Sequence, residues 1–122
     1  MPGRSEQGGN HDLRLGGLVT LLVLHFVARE PSYGQQLIER IAGLTAGALR
    51  VNPNTMYPML RSLEKRGLIE GEWEHPDRRS RRFYRITPAG EAEYRKLGRQ
   101  LAARLESITS TVDSIRRELL GR

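Results

Sequence analysis

The hydrophobic pattern of the chain starts with residues 13–29, which are apolar on nearly every side of a predicted first helix. A helix that is apolar on every side is normally buried on every side. The core of so small a domain covers only part of that surface, so we expect a second chain to cover the rest. Leu18 and Leu22 are the positions predicted to face it.

A second helix is predicted over residues 32–43. Ser32 and Gln35 have the spacing of a capping box, in which two side chains satisfy free amides at a helix start. Gly43 is the expected cap at the other end. The buried stripe of this helix is predicted to contain Leu37, Ile38 and Ile41.

A third helix starts at the pair Asn52-Pro53, a capping residue followed by proline at the first helical position, and ends at Gly67. Pro58 conflicts with this helix, since an interior proline lacks an N–H and clashes with the preceding turn. The local sequence leaves open a kink or a later start. The inward side chains are Met56, Met59, Leu60 and Leu63, and the outward ones are Asn54, Thr55, Tyr57, Arg61, Ser62, Lys65 and Arg66.

Two strands are predicted next, over residues 68–74 and 82–86. Pro76 and Asp77 between them favour a turn, so the unit is predicted to be a β-hairpin with a long basic tip. Its clustered basic residues are Arg78, Arg79, Arg81 and Arg82. Such a tip can lie along a DNA backbone or reach the minor groove, where arginine is favoured; the alternative is an ordinary solvated loop.

The last pattern is a long helix over residues 88–120, which starts at another cap-then-proline pair, Thr87-Pro88. Its apolar positions recur in steps of three and four, close to a heptad seam. Tyr94 starts this series. The residues of the seam predicted to form a dimer interface are Leu97, Leu101, Leu105, Ile108, Val112, Ile115 and Leu119.

Three helices, a hairpin and a long helix predict a mainly α protein with a small β-hairpin: a winged helix-turn-helix plus a long C-terminal dimerisation helix. The third helix of such a fold usually enters the DNA major groove. The predicted organisation is a disordered arm over residues 1–12, a winged-helix DNA-binding domain over residues 13–87 and the dimerisation helix over residues 88–122. In this arrangement Asn54 and Thr55 would approach base edges, and Arg61 and Lys65 would lie near phosphates. Tyr57 would either contact a phosphate or pack against the hairpin.

The composition supports this interpretation and excludes others. Lys and Arg exceed Asp and Glu by 20 to 14, a net charge of +6 that favours nucleic acid as the partner. The absence of cysteine excludes disulfides and Cys-ligated zinc and fits a cytoplasmic protein. The longest apolar run, residues 18–28, is shorter than the roughly 20 residues that span a bilayer. We therefore predict no membrane association.

The histidines suggest neither catalysis nor metal binding. His25 lies in an apolar helix, and His75 with Asp77 supplies too few ligands for a metal site. Neither a phosphate-binding loop nor a Ser–His–Asp arrangement is indicated. We therefore predict no enzyme activity, no metal and no cofactor.

Several joined motifs carry a family resemblance: NTMYPMLRSLEKRGL at residues 54–68, GEWE at 71–74, YRITPAG at 84–90 and SYG at 32–34. Together they resemble the signature of PadR-family transcriptional regulators, from about residue 15 to the end of the chain. The short C-terminal region resembles the subfamily with a single long dimerisation helix.

The resemblance implies a homodimeric repressor that binds double-stranded DNA at a palindromic operator, with the first and last helices building the dimer. It implies that the DNA-facing region includes Tyr33, Thr55, Tyr57, Arg61 and Lys65, and that the wing arginines contact backbone or minor groove. It also implies that Pro58 is compatible with the third helix.

Some family members release DNA when a small aromatic effector enters a pore at the dimer interface, in some cases stacking on a tryptophan of the last helix. This chain has Tyr94 there and a single tryptophan, Trp73, on a wing strand. The resemblance allows a small aromatic effector, but the tryptophan that stacks on it in some members has no counterpart on the last helix of this chain.

The main alternative is a winged helix that binds protein. Such a module should expose apolar residues on the third helix and wing, whereas this chain has clustered arginines there. An RNA-binding module should present a row of aromatic residues for base stacking, which the sequence lacks.

Overall fold

The computed structural model describes residues 15–121, which form four helices and three strands. In chain order they are α1 (Leu15–Arg29), β1 (Ser32–Tyr33), α2 (Gly34–Leu44), α3 (Pro53–Lys65), β2 (Ile69–Trp73), β3 (Arg82–Ile86) and α4 (Pro88–Leu120). This order confirms the mainly α architecture with a hairpin. The predicted disordered arm, residues 1–12, lies outside the described residues, and the division of the chain at residue 87 stays a prediction.

The sheet has a strand that the sequence analysis did not predict. The strand order is β1-β3-β2, all antiparallel, and β1 pairs Ser32 with Tyr84 and Tyr33 with Phe83. The capping box predicted for Ser32 and Gln35 is therefore wrong, because Ser32 is part of strand β1. Helix α2 starts at Gly34 instead, and the Gln36 side chain accepts a hydrogen bond from the Tyr33 amide at 2.9 Å.

The end predicted for α2 is also shifted. Gly43 lies inside the helix, which continues to Leu44. The left-handed residues that follow are Ala46, with a φ of 53°, and Gly47, with a φ of 82°. The Gly47 amide donates to the carbonyl of Ala42 at 2.8 Å, so the chain reverses later than the position of Gly43 suggested.

Helix α1 lies at the centre of the hydrophobic core. Val23, Leu24 and Val27 are almost completely buried, and Leu22 is packed at the edge of the same cluster. The other buried apolar side chains come from every neighbouring element, including Leu37, Ile41, Met56, Leu60, Leu63, Ile69 and Tyr84. The domain itself thus covers most of the apolar surface of α1, more than the sequence suggested.

Helix α3 is continuous through Pro58, which removes the alternative of a later start. The Asn52 side chain accepts the amide of Asn54 at 2.7 Å, and Pro53 occupies the first turn, as predicted. The helix ends at Lys65. Gly67 then adopts a φ of 77°, which is favourable for glycine.

Helix α4 is fixed to the sheet at its first turn. The Thr87 side chain accepts the Gly90 amide at 3.0 Å and donates to the carbonyl of Gly67 at 2.6 Å. Gly90 lies so close to Leu68, the residue before β2, that a Cβ atom there would be 1.9 Å from the Leu68 carbonyl oxygen. Within the described part of the chain, no helix is long and apolar enough to cross a membrane.

Candidate nucleic-acid interface

The N-terminal half of α3 presents short polar side chains to solvent. Met56, Leu60 and Leu63 are buried and fix the rotation of the helix about its axis. That rotation leaves Asn54 and Thr55 exposed at the N-terminus of the helix. Arg61 and Lys65 are exposed further along it.

Tyr57 has a structural contact as well as an exposed edge. Its side chain is 37% exposed, but its ring covers Gly34 at the start of α2. A Cβ atom at Gly34 would lie 2.6 Å from the ring, so glycine is the residue that lets α3 approach α2 so closely. The sequence left open whether Tyr57 meets the hairpin or a phosphate; this contact with α2 was not foreseen.

The tip of the hairpin is a closed turn that projects two arginines. The Ser80 hydroxyl accepts the His75 amide at 2.9 Å and donates to the His75 carbonyl at 3.1 Å. The Glu74 amide donates to the carbonyl of Arg81 at 2.8 Å. Arg78 and Arg79 lie within this turn, and both are exposed.

Arg81 and Tyr33 share one carboxylate. The Tyr33 hydroxyl donates to Glu74 Oε2 at 2.6 Å, and an Arg81 Nη2 donates to the same oxygen at 2.7 Å. The Arg81 guanidinium also lies 4.0 Å from the centre of the Tyr33 ring. These hydrogen bonds from Tyr33 and Arg81 lower the pKa of Glu74, and the bond to Glu74 raises the pKa of Tyr33. Glu74 is therefore ionised at neutral pH.

Arg82 lies on β3 and not in the turn. It forms an ion pair with Glu64 of α3, and its guanidinium lies 5.1 Å from the centre of the Trp73 ring. The hydrogen bond to Glu64 raises the pKa of Arg82 above its already high ordinary value. The pair joins the hairpin to α3 beside a groove of about 570 Å³, lined by aromatic and charged side chains that include Tyr57, Trp73 and Tyr84.

The structure thus separates the predicted DNA-contacting cations into two groups. Within residues 15–121, no ion pair involves any of the exposed cations Arg61, Lys65, Arg78 and Arg79. Together with Asn54 and Thr55 these form what we call the helix–wing face. Arg81 and Arg82 instead have carboxylate partners, and Tyr33 shares one of them. All ten predicted DNA-contacting residues lie on α3, the hairpin or the junction of β1 and α2.

Sequence reasoning missed the two acidic partners. Glu64 is 18 residues from Arg82, and nothing in the local pattern links them. Glu74 was easier to detect, since it ends the first predicted strand and Arg81 directly precedes the second. Opposite charges facing each other across a hairpin are a recognised pairing.

The predicted dimer residues occupy different environments. Leu97 is 5% exposed and belongs to the domain's own core, while Leu18, Leu22 and Leu101 are partly buried. The rest of the seam is open: Leu105, Ile108, Val112, Ile115 and Leu119 are 43–75% exposed.

The histidines have structural partners. His25 Nδ1 lies 2.8 Å from the Tyr94 hydroxyl, which links α1 to α4, and His75 Nε2 lies 3.5 Å from Glu74. His11 lies outside the described residues. Between residues 15 and 121 no three His, Cys, Asp or Glu side chains are grouped so as to hold a metal ion.

Sequence comparisons agree with the geometry. The chain matches the Transcriptional regulator PadR-like family over residues 23–96. It is 42% identical over 74 residues to the transcriptional regulator Rv3488 of Mycobacterium tuberculosis, covering 61% of this chain and 66% of that protein. It is 35% identical over 69 residues to the transcriptional regulator YqjI of Escherichia coli, covering 55% of this chain and 33% of that protein. The matched region thus spans just under two thirds of the first relative and one third of the second.

Solved structures share the fold over most of the chain. A PadR family transcriptional regulator from Eggerthella lenta superposes with a TM-score of 0.68 at 27% identity, covering 92% of this chain and 97% of that one. A transcriptional regulator from Clostridium thermocellum gives a TM-score of 0.70 at 26% identity, covering 77% of this chain and 89% of that one. Both coverages include most of the winged helix and part or all of α4.

Proposed function

The chain belongs to the PadR-like family of transcriptional regulators, and we propose that it regulates transcription by binding a specific site on double-stranded DNA as a homodimer. The observation that carries the proposal is the helix–wing face, where four exposed cations lie without carboxylate partners among residues 15–121. Cations of this kind replace the counterions of DNA phosphates on binding.

Each part of the helix–wing face has a separate task in this proposal. Asn54 and Thr55, at the exposed N-terminus of α3, enter the major groove and read base edges, since their amide and hydroxyl groups can hydrogen-bond there. Arg61 and Lys65 neutralise phosphates beside the groove. Arg78 and Arg79, on the hairpin tip, contact the backbone or the neighbouring minor groove.

Homodimerisation is supported by the open seam on the second half of α4. A single chain leaves Leu105, Ile108 and Ile115 about half exposed, and apolar residues repeated on one stripe are normally covered by a partner. A two-fold dimer presents two copies of the helix–wing face, so the DNA site is a palindrome with half-sites about one helical turn apart. Occupying such a site near a promoter would repress transcription.

Titration of the purified full chain against its own upstream DNA, across a salt series and beside a scrambled control, tests the proposal. We expect tighter binding to the upstream DNA, at two chains per site, with affinity falling steeply as salt rises. The double variant Arg78→Gln with Arg79→Gln should weaken binding to both DNAs. It should also reduce the slope of log affinity against log salt by about 1.8, roughly 0.9 for each lost phosphate contact.

A matched control removes the same charge elsewhere. Arg95 and Arg99 are exposed on α4, which contributes no residue to the helix–wing face, and replacing both with Gln should leave the slope unchanged. Equal losses in the two double variants would mean that overall charge, and not this face, drives binding. Equal affinity of the wild-type chain for both DNAs would reject site-specific binding and favour a winged helix that binds protein.

A further inference from the structure

An ion pair between Arg82 and Glu64 joins the hairpin to α3. Arg82 Nε donates to Glu64 Oε1 at 3.3 Å, and Nη2 of the same guanidinium donates to Oε2. Two parallel bonds between a guanidinium and a carboxylate fix direction as well as distance. Since Glu64 lies in the last turns of α3 and Arg82 starts β3, this contact sets how the wing is oriented relative to the helix.

The sheet is shaped around this arginine. Gly71 of β2 pairs with Tyr84, and Trp73 pairs with Arg82. A Cβ atom at Gly71 would lie 2.6 Å from Arg82 Nε and 3.0 Å from Cζ, so the side chain crosses β2 in the space that this glycine leaves. The Trp73 ring lies 5.1 Å from the guanidinium, within the range of a cation–π contact. The space at Gly71 and the Trp73 ring thus hold Arg82 where Glu64 can reach it.

This setting is unfavourable for a phosphate contact. The Arg82 side chain is 28% exposed, against 65% for Arg81, and the Glu64 carboxylate already occupies two of its donors. A phosphate that reached the remaining donors would lie beside a carboxylate of the same sign. Arg82 therefore differs from Arg78 and Arg79, which are exposed in the turn.

We propose that Arg82 and Glu64 are positioning residues that lock the wing to α3 and so contribute to sequence discrimination, without adding a phosphate contact. The inference rests on the proposed DNA-binding function. A specific complex needs α3 in the major groove and the wing on the backbone at one fixed separation, so a loose wing must be ordered on binding. Non-specific binding depends on the number of neutralised phosphates, which the pair does not change.

Glu64→Gln in the full chain gives the sharpest test, because the two roles of Arg82 predict opposite signs. If the pair positions the wing, affinity for the operator should fall about tenfold, while affinity for scrambled DNA and the salt slope stay unchanged. If Arg82 contacts DNA, removing the competing carboxylate should tighten binding to both DNAs. Tighter binding, or unchanged affinity for the operator, would overturn the inference.

Two further variants separate positioning from a general structural effect. The exchanged pair Glu64→Arg with Arg82→Glu should recover most of the lost discrimination, which a DNA-contacting Arg82 would not allow. Gly71→Ala should act like Glu64→Gln, since it closes the space for the Arg82 side chain. Arg79→Gln is the matched control, and it should weaken binding to both DNAs and reduce the salt slope by about 0.9.

A fluorescence measurement without DNA tests the positioning role independently of the proposed function. Trp73 is the single tryptophan of the chain, and it lies beside Arg82. Its fluorescence should change in Glu64→Gln and return towards the wild-type spectrum in the exchanged pair, at unchanged circular dichroism. If the wild-type chain shows no sequence preference, only the proposed function is rejected. If the Trp73 spectrum of Glu64→Gln is unaltered, the proposed locking of the wing to α3 is rejected.

Discussion

The two halves of α4 have the same apolar spacing and opposite environments. In residues 88–101, Leu97 is 5% exposed and Tyr94 and Leu101 pack against the core. In residues 102–120, every seam position is at least 43% exposed. The first half packs against α1, whereas no side chain of the second half is buried. A regular apolar stripe therefore identifies the face of a helix that will be covered, but not the surface that covers it.

The largest effect is expected from substitutions in the exposed half of α4. Leu105→Glu with Ile108→Glu would put unpaired charges into the proposed dimer interface, each costing roughly 3 kcal/mol or more. We expect sedimentation to give monomers at concentrations where the wild-type chain is a dimer. Ser107→Glu with Ser110→Glu adds the same charge to exposed positions off the seam and should leave the dimer intact. A dimer that survives the seam variant would mean that another surface joins the chains.

The next largest effect is expected from a substitution in the first turn of α4, within its buried half. Gly90→Ala would place a methyl carbon 1.9 Å from the Leu68 carbonyl oxygen, so the backbone of α4 or β2 must move. The cost should exceed the roughly 1–3 kcal/mol of ordinary overpacking, because the clash is with backbone. Thermal unfolding should show a large drop in midpoint or no cooperative transition. Gly98→Ala has open space around the new methyl group and serves as the control, with an unchanged or higher midpoint.

A pair of alanine substitutions sharpens the comparison. Leu97→Ala removes a core side chain and should cost roughly 2–5 kcal/mol of unfolding free energy at every protein concentration. Ile115→Ala, on the exposed stretch, should matter only where the dimer is populated, since a partner stabilises by mass action. Chemical unfolding across a hundredfold range of protein concentration tests this. A concentration-independent loss for Ile115→Ala would place that side chain in an intramolecular contact.

The smallest expected effect probes the link between α4 and α1. Tyr94→Phe removes the hydroxyl that lies 2.8 Å from His25 Nδ1 and keeps the ring. One partly buried hydrogen bond contributes about 1 kcal/mol, so we expect a loss of that size in unfolding free energy with no change in oligomeric state. A shift towards monomers in this variant would show that the link also shapes the dimer.

Much of the fold could be predicted because its signals are local. The starts of α3 and α4 at Asn52 and Thr87, the β3 strand and the left-handed Gly67 each depend on neighbours within a few residues. The wrong predictions are at positions whose secondary structure depends on a residue far away in the chain. Ser32 fits a helix cap locally, but pairing with Tyr84, 52 positions away in the chain, places it in a strand.

The candidate site shows the same difference between local and distant signals. The position and sign of its charges follow from the spacing of Arg61, Arg78 and Arg79 and from the family resemblance. Which arginines remain unpaired does not follow from that spacing. Glu64 reaches Arg82 only after the hairpin folds against α3, and Glu74 reaches Arg81 only after the two strands of the hairpin pair. A formal count of cations cannot separate paired from unpaired ones.

The sequence by itself determined the order of the four helices and the hairpin, the apolar face of each helix and the family, since periodicity, caps and motifs are properties of short stretches. The tertiary structure alone decided which part of the α4 seam is core, which arginines form ion pairs and how the wing is held against α3. These outcomes depend on contacts between residues far apart in the chain, whose geometry exists only once the core around α1 has formed.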